Sequence, residues 1–203
     1  MDGVEAENSN LEELDLPYGY RFRPSKAELL VHYLKRKIMG EQLPANVIPT
    51  IDVYACNPEQ LPFRLFTRGI SHIWFFFSKR RKGKILTKDG YYDFASPPRG
   101  AIYEKIEPAA GSRKTRKLVG FMRRLHFYYG RPPTGIKSRW TIEEFRIDPD
   151  TVDVNKDDHA TKRKVSNLVV CKVKGPLLYP EPWNEISETF CELEEDEVSE
   201  EDD

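Results

Sequence analysis

The residues best suited to chemistry in this chain are cations in runs. Lys79-Arg80-Arg81-Lys82-Gly83-Lys84 places five positive side chains in six positions. Cations on flexible stems neutralise phosphates and release counterions, which yields an affinity that falls steeply with salt. The same run fits a nuclear-import signal, as does Lys162-Arg163-Lys164, and a solvated loop is the third reading. Lys88, Arg99 and Lys105 continue the basic character, and Arg113, Lys114, Arg116 and Lys117 form a second cluster. Arg123-Arg124 follow, then Arg131, Lys137 and Arg139. Successive side chains on a strand face opposite sides. Arg123 and Arg124 therefore cannot serve one surface: one is expected at a phosphate, the other as a stem lying on the sheet. Base reading needs bidentate groups held in a groove. Spacing alone does not set that geometry, so these cations are expected to position phosphates.

Catalytic constellations are missing from the pattern. His32, His72, His126 and His159 are scattered, and Cys56, Cys171 and Cys191 are far apart and odd in number. No paired metal-ligand spacing or disulfide framework arises from them, and no nucleophile elbow, zinc-protease or phosphate-loop motif occurs. Cys171 sits in an apolar β-type run and is expected in the core. His126 alternates with Leu125 and Phe127 and is expected on the polar face of a sheet. The chain reads as a non-enzyme with no cofactor and no metal. No apolar run approaches the roughly 18 residues of a membrane span. The opening Met1-Asp2-Gly3-Val4-Glu5 lacks the basic and apolar regions of a secretory signal. Unpaired cysteines point to a reducing compartment, cytosol or nucleus.

The overall net charge of −1 conceals a segregation. Residues 1–15 hold six acids and no bases, and 185–203 hold eleven acids and no bases. The body between them, 16–184, carries all 32 Lys and Arg against 16 acids, a net of +16. Such a body is an electrostatic footprint for a polyanion. The division expected is an acidic disordered leader (1–15), one folded domain (16–175) and an acidic disordered tail (176–203). The tail mixes acids with Trp183, Ile186, Phe190, Leu193 and Val198. It fits a docking motif for a partner, a cover over the basic body, or a solubilising extension.

The elements that must carry these cations begin with a capping box. Ser25-Lys26-Ala27-Glu28 predicts a helix start. Leu30, Tyr33, Leu34 and Ile38 then make one stripe to about Met39, with Lys35, Arg36 and Lys37 on a solvated side. Gly40 is the expected stop. Ile51 to Cys56 is expected as a short helix capped by Asp52. Strands are expected at Ile73 to Phe77, Lys117 to Tyr129, Arg139 to Ile147 and Ser166 to Val173. Residues 79–100 are expected as a long loop with one short strand at most, 108–117 as a basic loop, and 148–165 as a mobile loop. One or two helices followed by strands in sequence imply an α+β class: a twisted antiparallel β-sheet flanked by a few helices.

Several motifs, in order over roughly 16–174, resemble the plant NAC domain. Leu16-Pro17-Tyr18-Gly19-Tyr20-Arg21-Phe22-Arg23-Pro24-Ser25, with Glu28-Leu29 and Tyr33-Leu34, is similar to that family's LPPGFRF-x-PT opening, its EEL and its YL. Trp74-Phe75-Phe76-Phe77-Ser78 resembles WYFFS, and Gly120, Arg123 and Leu125 fit GxKKxLxFY. Phe127 to Trp140 is similar to FYxGKAPKGxKTxW, with Lys137 on its second lysine and Thr134 replacing another. Glu144-Phe145-Arg146-Ile147 stands where the family has HEYRL, and Val169 to Val173 where it has WVLCRI. The resemblance implies a nuclear transcription regulator that binds double-stranded DNA. It also implies a homodimer, or a heterodimer with other family members, through Leu16, Pro17, Tyr18, Gly19, Tyr20, Arg21 and Glu28. There Arg21 of each subunit would meet Glu28 of the other; an intrachain surface pair is the plainer reading.

One segment departs. Where the family has GYWKATG, on the strand that enters the major groove, this chain has Gly90-Tyr91-Tyr92-Asp93-Phe94-Ala95-Ser96. Tyr92 replaces the Trp and Asp93 the Lys, and a carboxylate there repels phosphates. That keeps open a second reading, a dimerising interaction protein without specific DNA reading that modulates other family members. A third, single-stranded RNA binding, requires Tyr91, Tyr92 and Phe94 as open stacking platforms.

Overall fold

The computed structural model describes Gly19 and residues 21–95, 100–106, 115–154 and 158–176. The leader, the tail from 177, Leu16, Pro17, Tyr18, Tyr20, Arg99, Arg113 and Lys114 lie outside the described residues.

Helix α1 forms where the capping box predicts. It runs as Lys26–Glu28, a π-helical stretch Leu29–Leu34, and Lys35–Met39. The Ser25 hydroxyl accepts from the Glu28 N–H (3.2 Å), and the Glu28 carboxylate accepts from the Ser25 N–H (2.7 Å). These bonds satisfy two donors that every helix start leaves open. Gly40 ends the helix at φ 74°, a left-handed conformation that glycine adopts without steric cost. Leu30, Leu34 and Ile38 are completely buried. Burial of each contributes about 1.5–3 kcal/mol, which anchors this short helix far more than propensity can.

Seven antiparallel strands make one curled sheet in the order β1-β7-β6-β5-β3-β2, with β4 pairing β5 off that path. They are β1 Ile73–Lys79, β2 Ile85–Leu86, β3 Gly90–Phe94, β4 Gly100–Ile106, β5 Thr115–Tyr129, β6 Ile136–Ile147 and β7 Leu168–Lys174. The class is α+β, as expected. The aromatic run of β1 is apolar on both faces because both are covered. On one side Phe75 meets Phe22 edge-on at 5.2 Å, beside α1. On the other, Trp74 stacks on Phe63 at 4.0 Å, and Phe63 lies parallel to Trp140 at 5.5 Å. Phe63 belongs to the segment 50–66, which lines the inner face of the sheet. That segment is tied down by the Val53 N–H donating to the Ser78 hydroxyl (3.1 Å).

Several local expectations are corrected. Ile51 to Cys56 is a turn, not a helix: the Asp52 carboxylate accepts from the Tyr54 N–H, two residues on (3.1 Å). An Asp at that offset closes an Asx turn as readily as it caps a helix. The 79–100 segment holds two strands, β2 and β3, rather than one at most. Strand β4 had no counterpart in the expected elements. The loop expected over 148–165 contains a turn of 3₁₀ helix, Pro149–Thr151, and helix α2, His159–Asn167.

Candidate nucleic-acid interface

Strand alternation and register distribute the cations over two surfaces. On the outer face, beyond the area covered by α1, three rows cross the sheet. Asp93, His126, Thr141 and Lys174 are register partners across β3, β5, β6 and β7. Arg124, Glu143 and Lys172 form the next row. Tyr91, Tyr128 and Lys137 form the third, with the two tyrosine rings stacked at 5.1 Å. Lys84 Nζ lies 5.2 Å over the Tyr91 ring and 3.1 Å from the Asp93 carboxylate. Arg124 and Lys174 both bind Glu143 Oε1, at 2.8 and 2.9 Å. Burial by itself pushes the Glu143 carboxyl up, but the hydrogen bonds from Lys174 and Arg124 outweigh it and hold it below its ordinary value. Glu143 is thus a buried anion that fixes two half-exposed cations on this face.

The inner face holds a buried ionic network. Glu144 is 1% exposed. It receives Arg123 through two bonds, Nε to Oε1 at 2.6 Å and a guanidinium NH2 to Oε2 at 2.8 Å. The Tyr54 hydroxyl donates to Glu144 Oε2 at 2.7 Å, and Arg80 Nε stands 3.8 Å from Oε1. Cys171 Sγ lies 3.9 Å from that hydroxyl. Burial drives the ionisation of both the Tyr54 hydroxyl and the Cys171 thiol well upward, so both stay neutral and packed. Cys171 is completely buried core, as its sequence context implies.

The expected site residues fall into distinct places. Lys82, Lys88, Lys105, Arg131, Lys137 and Arg139 are exposed, and none forms a salt bridge with a described residue. Arg81 is half-exposed with its guanidinium 2.5 Å from the Asp52 carboxylate. Arg80 is mostly covered beside Glu144. Arg123 and Arg124 do face opposite sides. Arg123 is the stem on the sheet, 4.6 Å over the Phe94 ring and bound to Glu144, so Arg124 is the one facing solvent. Arg21 and Glu28 line a common depression with Arg23 and His32. Tyr91 and Tyr92 are buried, at 3% and 0% exposure. That removes Tyr91 and Tyr92 as stacking platforms for single-stranded RNA, and Phe94, half-buried, has the Arg123 guanidinium over its ring.

Sequence reasoning missed Glu143, Glu144 and Tyr54. A signal existed for the two acids: consecutive carboxylates inside the apolar strand Ile142 to Ile147 need cationic partners if both faces are covered. Among the described residues no three His, Cys, Asp or Glu side chains group to hold a metal ion. No described helix is long and apolar enough to cross a membrane.

Residues 17–147 match the family model described as No apical meristem (NAM) protein. NAC domain-containing protein 86 of Arabidopsis thaliana is 32% identical over 168 residues, covering 77% of this chain and 33% of the relative. Protein ATAF2 of the same plant is 36% identical over 169 residues, covering 79% and 54%. NAC transcription factor NAM-B1 of Hordeum vulgare subsp. spontaneum is 36% identical over 142 residues, covering 66% and 32%. The chain spans about a third to a half of the length of these relatives.

Proposed function

Since the chain belongs to the plant NAC family, we propose that it is a nuclear transcription regulator that binds double-stranded DNA as a homo- or heterodimer. The observation that carries this reading is a group of exposed cations that form no salt bridge with a described residue, among them Lys82, Lys88, Lys105, Arg131, Lys137 and Arg139. By contrast, Glu143, Glu144 and Asp93 on the sheet, and Asp52 in the turn beneath it, are matched to bases. Cations held apart from carboxylates retain their full attraction for phosphate. Lys137 is the central contact, opposite Tyr128 on the outer face. Arg99 joins them in the same role, and Arg124, Lys84 and Arg81 add charge while held in place by their acids.

The test is binding of the chain to random and family-type duplexes across a salt series. The affinity is expected to fall with a log–log slope of about −0.9 per phosphate contacted. Lys137→Ala is expected to weaken binding on all sequences and reduce the slope by about 1. Preference for the family-type duplex supports base reading. Binding that vanishes on every duplex by physiological salt overturns it in favour of the second reading, a dimerising partner of other family members. The observation favouring that reading is Asp93, a carboxylate that Lys84 neutralises but does not remove.

A further inference from the structure

Glu144 is an unusual residue for the inside of a sheet. Stripping a carboxylate of water costs several kcal/mol, and an apolar residue of similar size is often no worse for stability. The geometry points to a different use. The Arg123 guanidinium that grips Glu144 also donates to the main-chain carbonyl of Arg81. Two further bonds hold the same stretch of backbone. The Arg80 N–H donates to the Asn167 carbonyl at 2.7 Å, and the Arg81 guanidinium meets Asp52 at 2.5 Å. Gly83, at φ 68°, then turns the chain toward Lys84.

We propose that Glu144 is a positioning residue for the basic segment 80–84: it locks Arg123, Arg123 locks the Arg81 carbonyl, and the clamp presents Lys82 and Lys84 to a polyanion in one arrangement. The DNA arm of this proposal rests on the reading in the preceding section. Two features set the clamp apart from a simple core contact. First, Arg123 bridges the carboxylate and the loop backbone with one rigid, planar fork, a geometry that lysine cannot reproduce. Second, Glu144 opposes the charge of the surface above it. By Coulomb's law alone, removing a negative charge from beneath a cationic loop should tighten binding to DNA. Positioning demands the opposite sign.

Glu144→Gln tests it, because the amide keeps the shape but replaces one acceptor oxygen with a donor facing Arg123. In the full chain without DNA, exchange of the Arg80 amide, which donates to the Asn167 carbonyl, is expected to quicken by about tenfold or more, while the β6 and β7 amides keep their protection. On duplex DNA, affinity is expected to fall by about tenfold with a salt slope shallower by about 1. Unchanged exchange at Arg80, or tighter binding, overturns the proposal. Should Glu144→Gln fail to fold, Arg123→Lys decides the matter: it keeps the ion pair with Glu144 but cannot also hold the Arg81 carbonyl. Faster exchange at the Arg80 amide, with β6 and β7 unchanged in that variant, supports the clamp, and wild-type exchange at Arg80 sinks it. Where the wild-type chain binds no duplex at all, the DNA reading falls, and the exchange measurement still decides the clamp.

Discussion

Burial disfavours protonation of His126 on the outer face. His126 stands across from Asp93 on β3 and Thr141 on β6, and its Nδ1 is buried without a hydrogen-bond partner. Burial, with the positive charges of Lys137 and Arg124, lowers its pKa from the ordinary 6.5. The Asp93 carboxylate opposite it is engaged by Lys84. The consequence for stability follows from linkage. As pH drops through 6.5, the unfolded chain takes up a proton on this imidazole before the folded one does, so acidification destabilises the fold. An NMR titration is expected to give a His126 midpoint below its ordinary value, and Lys137→Ala to move it upward. A midpoint at or above the ordinary value, or one indifferent to Lys137, contradicts this account. At this scale the cations were legible as a set, but their partners were not. Arg123 and Arg124 are adjacent and chemically identical, and only the acids beneath them, Glu144 and Glu143, separate a buried clamp from a solvent-facing base.

Among the elements, α1 was legible from its first turn. The capping box, the stripe and Gly40 agree with one another, and that agreement across levels is what makes a helix readable. Ser25→Ala is expected to cost about 1 kcal/mol, read as a lower denaturation midpoint at unchanged m value. A variant as stable as the wild type would mean that tertiary packing alone sets where α1 begins. Helix α2 was not legible because its sequence, His159 to Asn167, buries only Val165 and so has no apolar stripe. Its signal was the cap: the Asp158 carboxylate accepts from the Thr161 N–H at 2.9 Å. Strand β3 was hidden among basic and Gly-rich neighbours. It exists because β5 supplies its ladder, Tyr92 opposite Phe127 and Asp93 opposite His126.

At the scale of the whole molecule, the proposed dimer makes a prediction about charge and symmetry. Arg21 and Glu28 sit in one depression at the start of α1. A self-pairing interface built there is isologous, so each residue acts twice. Sedimentation equilibrium of the chain is expected to give twice the monomer mass of 23.7 kDa. Arg21→Glu is expected to return it to the monomer value, since it sets like charges against each other twice over. A wild-type chain that already sediments as a monomer rules out this interface for the homodimer and leaves pairing with other family members.

The sequence by itself determined the family, the α+β class, the first helix with both its ends, the main strands and the segregation of charge. These are local or additive properties: caps act over three residues, strand patterns over a few, and net charge is a sum. The tertiary structure alone decided which of the described cations are tied to acids. That depends on contacts between distant positions, such as Arg123 with Glu144, Arg81 with Asp52 and Lys84 with Asp93. Coulomb energy depends on distance in space and on burial, and neither is set by spacing along the chain.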